Sequence, residues 1–230
     1  MISSIFNAYV YEPIFEVLVF IYNTVSFHDL GTAIIILTIL VRIVLFPVFY
    51  KSAKDQTLMQ KIQPKMKELQ EKFKNDKEAQ AKALMGLYKE HNLNPFSGFL
   101  LLLVQLPIFI ALFRMFSNGL SNGLFDSTMF LGLIDLSEKS IVLAVLAAGL
   151  QYIQGKMTFA AQGSGKEGQG SNPAASMGKI MIVVGPVLTL AILSSLPSAL
   201  GVYWTASTVF SVGQQFYINK KINGTQTEKK

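Results

Sequence analysis

The chain has 230 residues, 51% of them hydrophobic and 15% charged, with a mean hydropathy of +0.41 and a net charge of +6. Soluble domains carry about 25% charged residues, so this composition points to a protein embedded in a membrane. It has no cysteine, so no disulfide scaffold, iron–sulfur site, thiol chemistry or lipoprotein anchor is expected, and its two histidines, His28 and His91, lie too far apart to read as a metal site.

In chain order, residues 1–28 begin with acidic charges, Glu12 and Glu16, and have no basic leader, so no signal peptide is expected. The apolar stretch Ile14–Val25 is too short to cross a bilayer, and Glu12, Glu16 and Asn23 share a helical face. That pattern predicts an amphipathic helix lying in the outer interface. Residues 29–50 then hold twenty residues, Gly31 to Tyr50, that are apolar except for Arg42 and short polar side chains. At 1.5 Å per residue such a run covers about 30 Å, the hydrocarbon thickness of a bilayer, and predicts transmembrane helix 1. An arginine near its centre costs about 2.5–3.5 kcal/mol on insertion scales. Snorkelling to an interface is the plain alternative, but Arg42 lies eight residues short of the end of the run. A functional charge is the better reading.

Residues 51–94 are hydrophilic, with ten lysines and six acidic residues. Leu58, Ile62, Met66, Leu69 and Phe73 form one apolar stripe, and Leu84, Leu87 and Tyr88 a weaker one. Asp76 between them is an expected N-cap, so a helical hairpin is predicted, with a kink or restart at Pro64 and freedom to move against the membrane part. Transmembrane helix 2 is predicted at 95–117, an external loop at 118–139 and helix 3 at 140–159. A glycine-rich cytoplasmic loop follows at 160–178, then helix 4 at 179–196, helix 5 at 197–218 and a basic tail at 219–230. The resulting class is an all-α polytopic membrane protein of five transmembrane helices, an outer interfacial helix and a cytoplasmic hairpin. Of twenty Lys and Arg residues, seventeen fall in the hairpin, at Lys156, Lys166 and Lys179, or in the tail. The positive-inside rule therefore predicts an external amino terminus and a cytoplasmic carboxyl terminus.

Two motifs lead nowhere. Gly163–Lys166 lacks the glycine, the Ser/Thr and the preceding strand of a phosphate loop, and Asn223–Thr225 is a glycosylation pattern on a predicted cytoplasmic tail. No Asp, Glu or His lies in the apolar runs of about 31–50, 96–116, 140–157, 180–196 and 199–218, which counts against an ion-driven transporter or an aspartyl-type intramembrane protease. Polar residues do occur there. Thr38 lies one turn before Arg42, Gln105 sits mid-span beside Pro107, Gln151 and Gln154 share a face, and Trp204 lies near the outer end of helix 5. Each alone reads as an inter-helix hydrogen bond or an interfacial anchor. With Arg42 they are numerous enough to line a hydrated cavity.

The run Thr38–Pro47 (TILVRIVLFP) and the run Met59–Gln70 (MQKIQPKMKELQ) are similar to the core of the YidC membrane protein insertases. So are Leu87–Pro95, Gln105–Leu112, and Tyr203-Trp204 followed by Gln214-Gln215, in order over about residues 5–220. The resemblance implies a groove open to the cytoplasm and to lipid and closed to the outside. It assigns Arg42 and Thr38 to that groove, Trp204 to an aromatic groove position, and either Gln151 or Gln154 to a groove glutamine. Leu106, Pro107 and Phe109 match an apolar substrate-contact surface. Gly98–Leu101 departs from the family's Gly-Cys-Leu-Pro-like turn, and a form without a lipoprotein cysteine or large external domain is expected.

The implied activity is insertion of nascent membrane proteins into the lipid bilayer, with no catalytic residue, no cofactor and no nucleotide hydrolysis. The lysine-rich hairpin and basic tail are the expected contacts for the ribosome, targeting factors and a translocation channel. A scaffold that assembles already inserted helices, and a channel or transporter, are the alternatives.

Overall fold

The computed structural model describes residues 2–94, 96–119, 125–159 and 173–227, so the glycine-rich stretch with Gly163–Lys166 lies outside the described residues. The chain opens with α1 (Ile2–Phe6), a π-helical turn (Asn7–Tyr11) and α2 (Glu12–Thr24), which run on without a break. Helix therefore extends well before the Ile14–Val25 stretch, and Ser3–Thr24 is long and apolar enough to cross a membrane. The length argument for an interfacial helix does not hold. The carboxylates remain informative, because Glu12, Glu16 and Asn23 are all exposed while Leu18, Ile21 and Tyr22 are buried.

The apolar run of residues 31–50 is two helices, α3 (Leu30–Val44) and α4 (Phe46–Lys72), bent by 70° at Leu45. Pro47 stands in the first turn of α4, where its missing N–H is harmless, whereas a continuing α3 would need it to serve Ile43. With 15 residues, α3 rises only about 22 Å, and Arg42 falls in its last turn rather than mid-span. There the helix carbonyls favour a cation.

A turn over Phe73–Asp76 leads to α5 (Lys77–Glu90), which Asp76 caps by accepting from Glu78 N at 3.1 Å and Ala79 N at 2.9 Å. Ile62, Leu87 and Leu93 form the hairpin's small core, with Leu58, Met59, Met66, Leu69 and Tyr88 against it. Phe73 and Leu84 stay outside that core. The helix continues through Pro64 without restarting, with the proline ring exposed. Nor does the hairpin hang free. Ser52 Oγ donates to Ser97 O at 2.7 Å, and Gln215 Nε2 donates to Thr57 Oγ1 at 2.9 Å, tying the base of α4 to its neighbours.

The remaining helices are α6 (Ser97–Gly119), α7 (Ile141–Phe159), α8 (Pro173–Leu193) and α9 (Ser198–Thr227). The first six residues of α8 fall in the predicted loop, and α9 continues through most of the predicted tail. Helix α9 is the axis of the bundle, in contact with α3, α4, α6, α7 and α8. Among the described residues, Ile141–Thr158 is also long and apolar enough to cross, and the bent pair Leu30–Val44 with Phe46–Met59 is a third candidate. Leu103–Ser117 and Ile182–Leu193 are shorter apolar stretches. Rows of exposed apolar side chains, Leu103, Leu106, Ile110 and Phe113 on α6 and Val183, Val184, Val187 and Leu188 on α8, are uncovered among the described residues and suit lipid.

The main core lies at the bundle end where α2 meets α3 and α8 meets α9. Tyr22, Leu30, Ile34, Leu112, Met115, Phe116, Leu136 and Leu200 are essentially inaccessible there. A two-strand antiparallel hairpin, β1 (Met129–Phe130) and β2 (Ile134–Asp135), closes that end. The Asp29 carboxylate caps α3 through Thr32 N at 2.7 Å and also accepts from Leu131 N at 2.6 Å, joining helix to hairpin. Ser198 N then donates to Glu138 O at 2.8 Å, fastening the start of α9. Gly31 lets the hairpin sit this close, since a Cβ there would lie 2.0 Å from Phe130 Cδ2. Gly31→Ala should destabilise the fold by about 1–3 kcal/mol through overpacking, with recovery in the Gly31→Ala/Phe130→Ala double variant. Thermal unfolding in detergent micelles reads both.

The Asp135 carboxyl is held below its ordinary value of 3.8, chiefly by the Ser137 hydroxyl, then by Ser137 N–H and the Thr128 hydroxyl. A depressed carboxyl contributes stability that is complete above its unfolded value and lost as pH falls through its folded value. The loss of melting temperature between about pH 5 and pH 2 should accordingly be smaller in Asp135→Asn than in the parent.

Candidate functional site

Below that core the bundle changes character. Arg42 on α3, Gln105 on α6, Gln151 and Gln154 on α7, and Tyr203, Trp204, Ser207, Thr208 and Ser211 on α9 surround a cavity of about 140 Å³. No carboxylate is among them. A guanidinium taken from water must find polar partners or hold water. Arg42 is 8% exposed, and its Nη2 donates to Ser207 Oγ while Phe49 of α4 lies under the guanidinium, 4.3 Å from its carbon to the ring centroid. These contacts leave most of its five donors to the cavity. Gln105 Nε2 donates to the Tyr203 hydroxyl, so α6 and α9 are joined at the same site.

The two glutamines of α7 differ in what they touch. Gln151 Oε1 accepts from Thr189 Oγ1 of α8 and from Trp204 Nε1 of α9, the latter at 3.3 Å. It is therefore a three-helix junction. Gly185 makes room for it, since a Cβ there would stand 3.2 Å from Gln151 Nε2. Gln154 lines the same cavity, and no side-chain partner engages it among the described residues. Its amide faces the cavity unclaimed.

Of the residues singled out from sequence, Arg42, Gln105, Gln151, Gln154 and Trp204 come together around this one space. Thr38 does not. It is buried one turn away, with its hydroxyl donating to Ile34 O at 2.6 Å. Leu106 is exposed on the lipid-suited face of α6, whereas Pro107 and Phe109 are half-buried. Phe109 meets the Trp204 ring edge-on at 5.7 Å between centroids, so it supports the cavity wall. Sequence reasoning passed over Tyr203, Ser207, Thr208 and Ser211 as site residues. Their signal was available as hydroxyls at 203, 207 and 211, four residues apart on one helical face. Among the described residues no three His, Asp or Glu side chains gather as metal ligands would.

This is a helical membrane protein with a cationic, acid-free polar cavity inside an apolar bundle. Residues 20–226 match the family model described as 60Kd inner membrane protein, and the chain belongs to that family. It is 38% identical over 215 residues to proteins named "Membrane protein insertase YidC" from Geobacter sp. (strain M21) and Geotalea uraniireducens (strain Rf4), covering 92% of this chain and 37% of each relative. The relative of that name from Syntrophus aciditrophicus (strain SB) is 38% identical over 211 residues, 91% of this chain and 36% of the relative. The chain thus spans little more than a third of the length of these relatives.

Trp204 is the only tryptophan, so its emission reports the junction. Gln151→Leu leaves the Thr189 hydroxyl and the Trp204 indole N–H without their acceptor, at about 1–3 kcal/mol for each donor that stays buried. The expected result is a lowered melting temperature together with a blue shift of tryptophan emission. An unchanged spectrum would show that the junction does not form.

Proposed function

We propose that this protein inserts nascent membrane-protein segments from the cytoplasm into the lipid bilayer, using the polar cavity around Arg42 as a groove. The observation that carries the reading is a buried arginine, lining a polar cavity, with no acidic partner among the described residues. A positive charge kept in that state favours transient acidic or amide-bearing guests. The hydrophilic tail of a substrate is held by Arg42, Gln105, Gln154 and the α9 hydroxyls, with Gln151 and Trp204 bracing the wall and Thr38 packing beside Arg42. Its apolar helix meanwhile moves into lipid along Leu106 and the exposed rows of α6 and α8, with Pro107 and Phe109 behind them. The groove shortens the dry distance that a polar tail crosses, so its desolvation cost falls. Partition of the apolar segment and the membrane potential on acidic tails supply direction without nucleotide hydrolysis. The names of the curated relatives support the same reading.

In this arrangement α3, α6, α7, α8 and α9 cross the membrane, the amino terminus is outside and α9 ends in the cytoplasm. The lysine distribution supports that orientation. Helix α2 lies in the outer interface, because a crossing helix would carry exposed Glu12 and Glu16 through hydrocarbon near its middle. The lysine-rich hairpin and the end of α9 face the ribosome, targeting factors and a translocation channel, where clustered cations attract phosphate and anionic lipid.

The test is depletion and complementation, scoring insertion of a short protein with an acidic external tail. Arg42→Ala should reduce insertion about tenfold, the scale of one lost hydrogen bond to a charged group, and Arg42→Lys should retain most of it. Full insertion by Arg42→Ala would remove the charge from the mechanism. Normal insertion with failed complex assembly would identify an assembly scaffold instead.

A further inference from the structure

The polar face of α9 does not stop at the cavity. Gln214 lies seven residues beyond Ser207, two helical turns or about 10 Å nearer the end of α9, and on the same face as Tyr203, Ser207 and Ser211. It is 8% exposed, and its Nε2 is buried without a hydrogen-bond partner among the described residues. Native proteins pair nearly all such groups, so an unpaired one calls for a physical reason.

Its neighbour sharpens the contrast. Gln215 Nε2 donates to Thr57 Oγ1 at 2.9 Å and to Asn219 Oδ1 at 3.0 Å, so α4 is fastened across this stretch of α9. Helix α4 also touches α6 and α7, and its buried Phe49 lies beneath the Arg42 guanidinium. The base of α4 thus runs beside α9 from Thr57 at Gln215 to Phe49 under Arg42, which itself bonds Ser207. Gln215, about 100° round α9 from Gln214, is engaged by α4, whereas the Gln214 amide nitrogen finds no partner among the described residues.

We propose that Gln214 is a further guest-contacting residue: when α4 separates from α9, its amide donates to a main-chain carbonyl of an extended polypeptide passing toward Arg42. The inference rests on the insertase reading. A polypeptide fits better than an anion because Gln214, Ser211 and Ser207 are all neutral. Their steps along α9, about 6 Å and then about 4.5 Å, are of the order of the two-residue repeat of an extended chain, about 6.6 Å. The guest's carbonyl supplies the partner that the resting fold withholds. Separation of α4 therefore trades the Thr57–Gln215 bond for a new one.

Two measurements on the full chain in membranes test this. Gln214→Leu removes the unpaired donor while keeping volume, so its melting temperature should hold or rise while insertion falls about fivefold, the effect of one neutral hydrogen bond. A lowered melting temperature would mean that the amide already has a structural partner, and unchanged insertion would mean that no guest meets it. Either result overturns the inference. Because the chain has no cysteine, Gln214→Cys and Ser211→Cys can each be probed for disulfide formation with single cysteines in a ribosome-stalled substrate segment. Cross-links at both positions support the proposal. A cross-link at Ser211→Cys alone overturns it and leaves the insertase reading standing, while cross-links at neither position count against both.

Discussion

A buried guanidinium with no carboxylate partner among the described residues organises this bundle. Arg42 cannot be left dry and unpaired, and α3 alone offers it only the carbonyls at its C-terminal end. The remaining solvation comes from other helices. Ser207 of α9 accepts from it, Phe49 of α4 lies beneath it, and Tyr203 with Gln105 extends the polar layer to α6. The charge thereby draws the rotations of four helices toward one point. Had an acid been present, the pair would close on itself and the cavity would hold no net charge to offer.

The two ends of the molecule follow from the same constraint. A polar cavity inside lipid must be sealed on one side, or it becomes a leak. The seal is an apolar core reinforced by backbone hydrogen bonds, with Asp29 and the β1–β2 hairpin holding the helix starts in register. At the opposite end the closure is different in kind. The base of α4 is held by a few side-chain hydrogen bonds, and beyond Leu58 the hairpin arms pack mainly on each other. Local stability follows buried apolar contact, so the first end is the more firmly held of the two.

Much of this was legible in the residue pattern. Arg42 stood out as a misfit, the apolar segments of α6 to α9 were visible as runs, and Asp76 capped its helix as its position predicted. The hairpin stripes were read correctly except for Phe73 and Leu84, whose spacing fits the stripe but which find no partner there. The first apolar run was misread as one helix because hydropathy does not register a missing N–H, and Pro47 turns the chain by 70°. The amino-terminal apolar stretch was judged too short to cross because only Ile14–Val25 was counted, whereas the helix continues back through Pro13 and the π-turn to Ile2.

The polar residues mark the boundary between the two kinds of knowledge. By itself the sequence determined that the apolar runs hold Arg42, no acid and several amides and hydroxyls, since composition and period are local properties. It could not say that Gln151 is engaged at a junction while Gln154, three residues on, faces the cavity, or that Thr38 turns its hydroxyl back to its own helix. Those outcomes depend on how each helix is rotated against partners far away in the chain, as with Arg42 and Ser207, 165 residues apart. Only tertiary packing sets that rotation, because a helix offers every face equally until a neighbour buries one.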